Sequence, residues 1–101
     1  MDVDKLNELK DQLDLAINMI EQRKMQKYHK YWDDVLRDYK KLRGFLDNDI
    51  QKICRLKSYE TGVIGMVRNA FDLLLYNDYN DPLFKEMGKV EDLIIELFSH
   101  K

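Results

Sequence analysis

One proline, four glycines and one cysteine are all that this chain of 101 residues holds of the residues that break or staple a backbone. Many turns would need more breakers, so long helices are expected rather than a sheet of short strands. The lone Cys54 cannot form an internal disulfide. Flanked by Ile50, Ile53 and Leu56 on an expected helix, it reads as a small buried hydrophobe in reducing surroundings. Histidine is as scarce. His29 and His100 lie far apart and no second cysteine exists, so the four-ligand pattern of structural zinc is missing. No glycine-rich phosphate loop and no Gly-x-Ser-x-Gly turn occurs. No apolar run approaches the roughly 20 residues that span a bilayer, and the acidic, amphipathic start does not read as a secretion signal. The expectation is a cytoplasmic protein with no catalytic residues, no metal, no cofactor and no small-molecule substrate.

Hydrophobic residues make up 45% of the chain and charged residues 36%. That is too apolar for disorder, yet it leaves a modest core, and self-association would add burial that a small domain lacks. The length allows one domain, residues 1–101. Net charge is only −2, but it is unevenly spread. Residues 1–22 carry six acids and two bases, residues 23–57 eleven bases and five acids, and residues 72–101 seven acids and three bases. The middle is basic and both ends are acidic. Two alanines, and lysines outnumbering arginines twelve to five, hint at an AT-rich bacterial or phage genome.

From Asp2 to Arg43 there is neither glycine nor proline, and apolar residues keep a period of 3.6. Leu6, Leu9, Leu13, Ala16 and Ile20 form one row. A second row runs through Tyr28, Trp32, Val35, Tyr39, Leu42 and Leu46, rotated from the first by about 80° at 100° per residue. Either the chain turns near residues 22–27, or one helix changes the neighbour it packs against. No Gly, Pro or Asn-Gly marks a turn there, so one long helix over 3–43 is expected, with a turn at 44–48 beginning at Gly44. A second helical region at 48–76, broken near 58–62, would hold the central helix in "VIGMVRNAFDLLL". "YNDYNDP" reads as a loop. Asp81 as cap and Pro82 as first helical residue then start a helix over 82–99. Its stripe is Leu83, Met87, Val90, Ile94 and Leu97, widened by Phe84, Ile95 and Phe98. The fold expected is all-α, an elongated antiparallel bundle of three to five helices, coiled-coil-like, with a long N-terminal helix.

Two short stretches resemble enzyme families. Arg23 and His29, five residues apart, resemble the arginine–histidine motif of HEPN-type ribonucleases. That family has a polar Asn, Asp or His after the arginine and carries the motif late in the domain, whereas here Lys24 follows and the motif is early. "LKDQLDLAINMIEQR" is similar to the first helix of helical chorismate mutases, but the downstream lysine and Arg-Glu pair that clamp their dicarboxylate have no counterpart. Neither implies an activity.

The basic segment is richer. Arg23, Lys24, Lys27, His29 and Lys30 interleave with Tyr28, Tyr31 and Trp32, a composition that can hold phosphates while stacking bases. It also suits a helix with Tyr28 and Trp32 inward, lysines outward, and His29 paired with Asp33 four residues on. The acidic flanks and a pI near 5.7 oppose a strong nucleic-acid field. The functional expectation is therefore a helical protein-interaction module, an adaptor, inhibitor, immunity or accessory factor. It would dock a helix face on a protein partner or on itself as a homodimer, with Lys24, Lys27, Lys30 and Tyr31 at the contact. The alternative is a nucleic-acid-binding or regulatory factor using residues 23–43.

Overall fold

The computed structural model describes residues 3–48, 65 and 81–98. These form three helices, α1 (Val3–Gln26), α2 (Lys30–Asn48) and α3 (Pro82–Phe98), and no strand occurs among the described residues. The long helix expected over 3–43 is thus two helices. Its interruption is residues 27–29, and α2 passes through Gly44 to Asn48, where a turn was expected. The expected helical region at 48–76 lies outside the described residues, save its first residue and Gly65. Gly65 occupies a turn with φ of 89°, a left-handed conformation that glycine adopts without strain and that no α-helix contains.

Side chains make the break between α1 and α2, with no help from glycine or proline. Arg23 and Lys24 lie in the last turn of α1 and Asp33 in the first turn of α2, the charge order that helix dipoles favour at an end and a beginning. The Lys27 N–H still reaches the Arg23 carbonyl at 2.9 Å, closing the final turn. His29 then caps α2. Its Nδ1 accepts from the Tyr31 N–H at 3.0 Å, and its carbonyl accepts from the Trp32 N–H at 3.0 Å. An imidazole here replaces the usual hydroxyl or carboxylate cap. The 80° rotation of the apolar rows is the trace of this corner.

Both apolar rows enter one core. Leu6, Leu9, Leu13, Ala16 and Ile20 of α1 meet Trp32, Val35, Leu36, Tyr39, Leu42 and Leu46 of α2. From α3 come eight buried residues of 17, including Leu83, Phe84, Met87, Leu93 and Phe98. Two expectations fail. Tyr28 is 63% exposed because it lies in the corner and not on a helix, and Ile95 is 46% exposed, whereas Leu93, about 200° from it around α3, is buried. Trp32 is 2% exposed, with its ring centroid 6.4 Å from that of Phe84.

Polar pairs set the helix register. Between α1 and α2 run Lys10–Asp47 at 3.6 Å, Arg43–Asp14 at 2.9 Å, Lys40–Glu21 at 3.7 Å and Lys24–Asp33. As numbers rise on α1 they fall on α2, so these two helices are antiparallel. The same order relates α1 to α3. Lys5 meets Glu96 at 3.2 Å, Gln12 Nε2 donates to the Glu86 carbonyl at 3.0 Å, and Arg23 pairs with Asp81.

The last of these contacts is the best buried. Arg23 donates through both terminal nitrogens to the two carboxylate oxygens of Asp81, at 2.8 and 2.9 Å. Asp81 meanwhile caps α3, with its Oδ1 accepting from the Leu83 N–H at 3.0 Å. The Asp81 side chain is 9% exposed and the Arg23 side chain 20%. The arginine holds the Asp81 carboxyl below the ordinary carboxylate range, and the Leu83 N–H helps, against an upward push from burial. A depressed folded pKa gives stability that is complete above the unfolded titration near about pH 4 and lost as pH falls through the folded value. Urea midpoints should therefore separate wild type from Asp81→Asn at neutral pH and converge in acid. Arg23→Ala, which strands the carboxylate, should cost about 3 kcal/mol at neutral pH.

The phenol of Tyr39 has no such support. The Tyr39 hydroxyl is buried and has no hydrogen-bond partner among the described residues. Burial, then the neighbouring Glu91 and Tyr31, push its pKa well above the ordinary phenol range. Trp32→Ala and Tyr39→Phe should therefore act in opposite directions. The first should cost about 3–5 kcal/mol as a large-to-small core change, and the second should gain about 1 kcal/mol by removing an unmet hydroxyl. Denaturant melts of the two proteins check this.

Candidate functional site

The corner between α1 and α2 is also where the surface is least ordinary. Met25, at 87% exposed, is the most open large hydrophobe among the described residues, and Tyr28 stands beside it. Together with Glu21, Lys24, Leu36 and Lys40 they line a shallow groove of about 270 Å³. Helix geometry explains the placement. Met25 lies five residues past Ile20, more than a quarter turn off the buried row, so the end of α1 turns it outward. Leu36, buried on α2, forms the floor.

A small polar knot holds the groove's end. Asp33 accepts from Lys24 through one oxygen, and from the Tyr28 hydroxyl through the other at 2.6 Å. Lys24 Nζ also lies 5.9 Å from the centre of the Tyr28 ring. These contacts move all three titrations. Hydrogen bonding to Asp33 raises the Lys24 ammonium and the Tyr28 phenol, while Lys24, then Tyr28, lower the Asp33 carboxyl. Along one wall Lys40 meets Glu21.

The four expected contact residues separate here. Lys27 and Lys30 are exposed on the corner. Lys24 is engaged by Asp33. Tyr31 is half-buried and packs against the core, with its ring 6.0 Å from Trp32. Met25, absent from the sequence expectation, is central to the surface. Its signal was visible as a methionine off both apolar rows. Arg23 and His29 do not form a pair, because Arg23 turns to Asp81 and His29 caps α2. The expected His29–Asp33 contact is replaced by Lys24 and Tyr28 on Asp33. Among the described residues no three His, Cys, Asp or Glu side chains converge to hold a metal ion, and no helix is long and apolar enough to cross a membrane. Cys54 and His100 lie outside the described residues.

The knot is directly measurable. The Tyr28 ring resonances should titrate above the ordinary phenol value in wild type and fall toward it in Asp33→Asn, followed by NMR through alkaline pH. An unchanged Tyr28 titration would mean that Asp33 does not hold the hydroxyl in solution.

Neither a curated protein nor a solved structure matches the chain. A family model described as "YeeD uncharacterised protein" matches residues 4–101, and the chain therefore belongs to the YeeD family.

Proposed function

We propose that this protein is a non-enzymatic, cytoplasmic interaction module that docks the α1–α2 corner onto a protein surface, as an adaptor, inhibitor, immunity or accessory factor does. The observation that carries this reading is the pairing of Met25 and Tyr28, both largely exposed, above the buried Leu36 in a groove rimmed by charge. An exposed apolar centre within a polar rim is the layout of a protein contact. The knot adds to the case, because it fixes Tyr28 before any partner arrives and lowers the ordering cost of binding. Lys27 and Lys30 at the edge would act on encounter rate and register more than on final affinity. The lone cysteine fits reducing surroundings.

Nucleic acid is the weaker reading. The bases of α2 are interleaved with Asp33, Asp34 and Asp38, and Arg37 is already shared between Asp34 and Asp38 at 3.4 Å each. A phosphate backbone would meet a field of both signs. A photo-crosslinking residue at position 25, compared with one at the exposed Ile95, tests the proposal in the cells that make the protein. The expected result is a discrete protein adduct from position 25 and none from position 95. Equal labelling from both positions, or adducts with nucleic acid alone, would overturn it.

A further inference from the structure

Of the five methionines in the chain, three lie among the described residues, each in a different environment. Met87 is buried on α3, Met19 is half-buried against the core, and Met25 is 87% exposed. A thioether meets an oxidant through a sulfur lone pair, so access to solvent sets the order in which methionines oxidise. Burial closes that route at Met87 and narrows it at Met19. At Met25 it is open. The surroundings of Met25 add a second property. Lys24, Lys40 and Tyr28 line the same groove, and a sulfoxide oxygen is an acceptor that an ammonium or a phenol can meet. Lys24 and Lys40 are paired with Asp33 and Glu21, yet an ammonium has more N–H donors than one carboxylate oxygen takes up. The groove can therefore hold the oxidised side chain as well as the reduced one.

We propose that Met25 is an oxidative modification site, and that its conversion to methionine sulfoxide by a peroxide closes the α1–α2 corner to its partner. The inference rests on the reading of the corner as a protein-docking surface and names how that surface is regulated. The sulfur lone pair attacks one oxygen of hydrogen peroxide, and the S–O bond forms as the O–O bond breaks. The second oxygen leaves as water with both protons. Sulfur gives up an electron pair, peroxide takes it, and no other reactant is consumed. The product is a polar side chain where an apolar one stood. Reduced Met25 supplies the apolar centre beside Tyr28 and above Leu36. A partner that covered the sulfoxide would have to strip water from a strong acceptor, which costs affinity unless the partner supplies a donor. The fold is spared, because Met25 stands outside both buried rows. A thiol-dependent methionine sulfoxide reductase reverses the step, and a side chain this open is within its reach.

Hydrogen peroxide is the probe. Purified protein is oxidised in steps, the peroxide is removed, and peptide mass spectrometry locates each added oxygen. Met25 should gain one oxygen before Met19 and Met87 do, with an unchanged melt by circular dichroism. The consequence is read through a photo-crosslinking residue at the exposed Gln22, one helical turn before Met25. Illuminated in lysate of the cells that make the protein, the unoxidised chain should give a discrete protein adduct and the oxidised chain should lose it. Met25→Leu is apolar and has no sulfur, so it should keep its adduct after peroxide, which separates Met25 from Cys54 and the other methionines. Met25→Gln, polar from the start, should lack the adduct without any peroxide. A methionine sulfoxide reductase should restore the adduct of oxidised wild type. Oxidation of Met19 or Met87 ahead of Met25 would overturn the inference. So would an adduct that survives oxidation of Met25, or one lost equally from Met25→Leu. No adduct from the unoxidised chain, at position 22 or 25, would remove the docking reading and the regulation built on it, and the order of oxidation would still decide the modification site.

Discussion

The fork between Arg23 and Asp81 brings three helix ends to one point. Arg23 stands at the last turn of α1, on the continuation of the row that buries Leu6 through Ile20. Had that row ended in a leucine, α1 would bury one more turn of its own. Instead the guanidinium reaches the carboxylate that caps α3, and one helical turn along α3 the ring of Phe84 meets Trp32 at the start of α2. The end of α1 is thereby fixed against two helix starts at once. A bidentate pair has a planar geometry that a lysine could not reproduce. Its worth to the fold lies in direction as well as in energy.

The seam between α1 and α2 works differently. Its four ion pairs are largely exposed, and each contributes little on its own. Their order along α1 is base, acid, acid, base, and α2 presents the complement in reverse. A slip of one helical turn would set Asp14 or Glu21 against the wrong neighbours. The apolar rows supply the attraction between the helices, and the charges choose one of the registers those rows would accept.

The helical class, the capped start at Asp81-Pro82 and the stripes of α1 and α3 were all legible, because each is written in local periodicity or in one dipeptide. The corner at 27–29 was written too, but in a different code. Glycine and proline are absent there, and the chain marks the end of α1 with Arg23 and Lys24 and the start of α2 with Asp33. His29 as a cap is not a residue that sequence rules favour, and its role depends on a Tyr31 N–H that only the turn brings near. Gly44 misled for the opposite reason. A helix interior accepts glycine at a cost of about 1 kcal/mol, and here the apolar spacing of Leu42 and Leu46 outweighed it. The groove was the least legible feature, since Met25 matters by standing outside every pattern that defines the core.

The corner has one property that a glycine or proline turn would not share. Nothing in the covalent backbone of Lys27, Tyr28 and His29 forbids a helix, so the angle between α1 and α2 is held by side chains alone. Of these, Lys24, Tyr28 and Asp33 lie in reach of solvent, while the core beneath them does not. Ionic strength and pH therefore act on this hinge separately from the packing it joins. The leucines beneath the corner carry no charge, so pH and salt reach this end of the molecule through the Lys24–Tyr28–Asp33 knot and the Arg23–Asp81 pair, and not through the apolar packing.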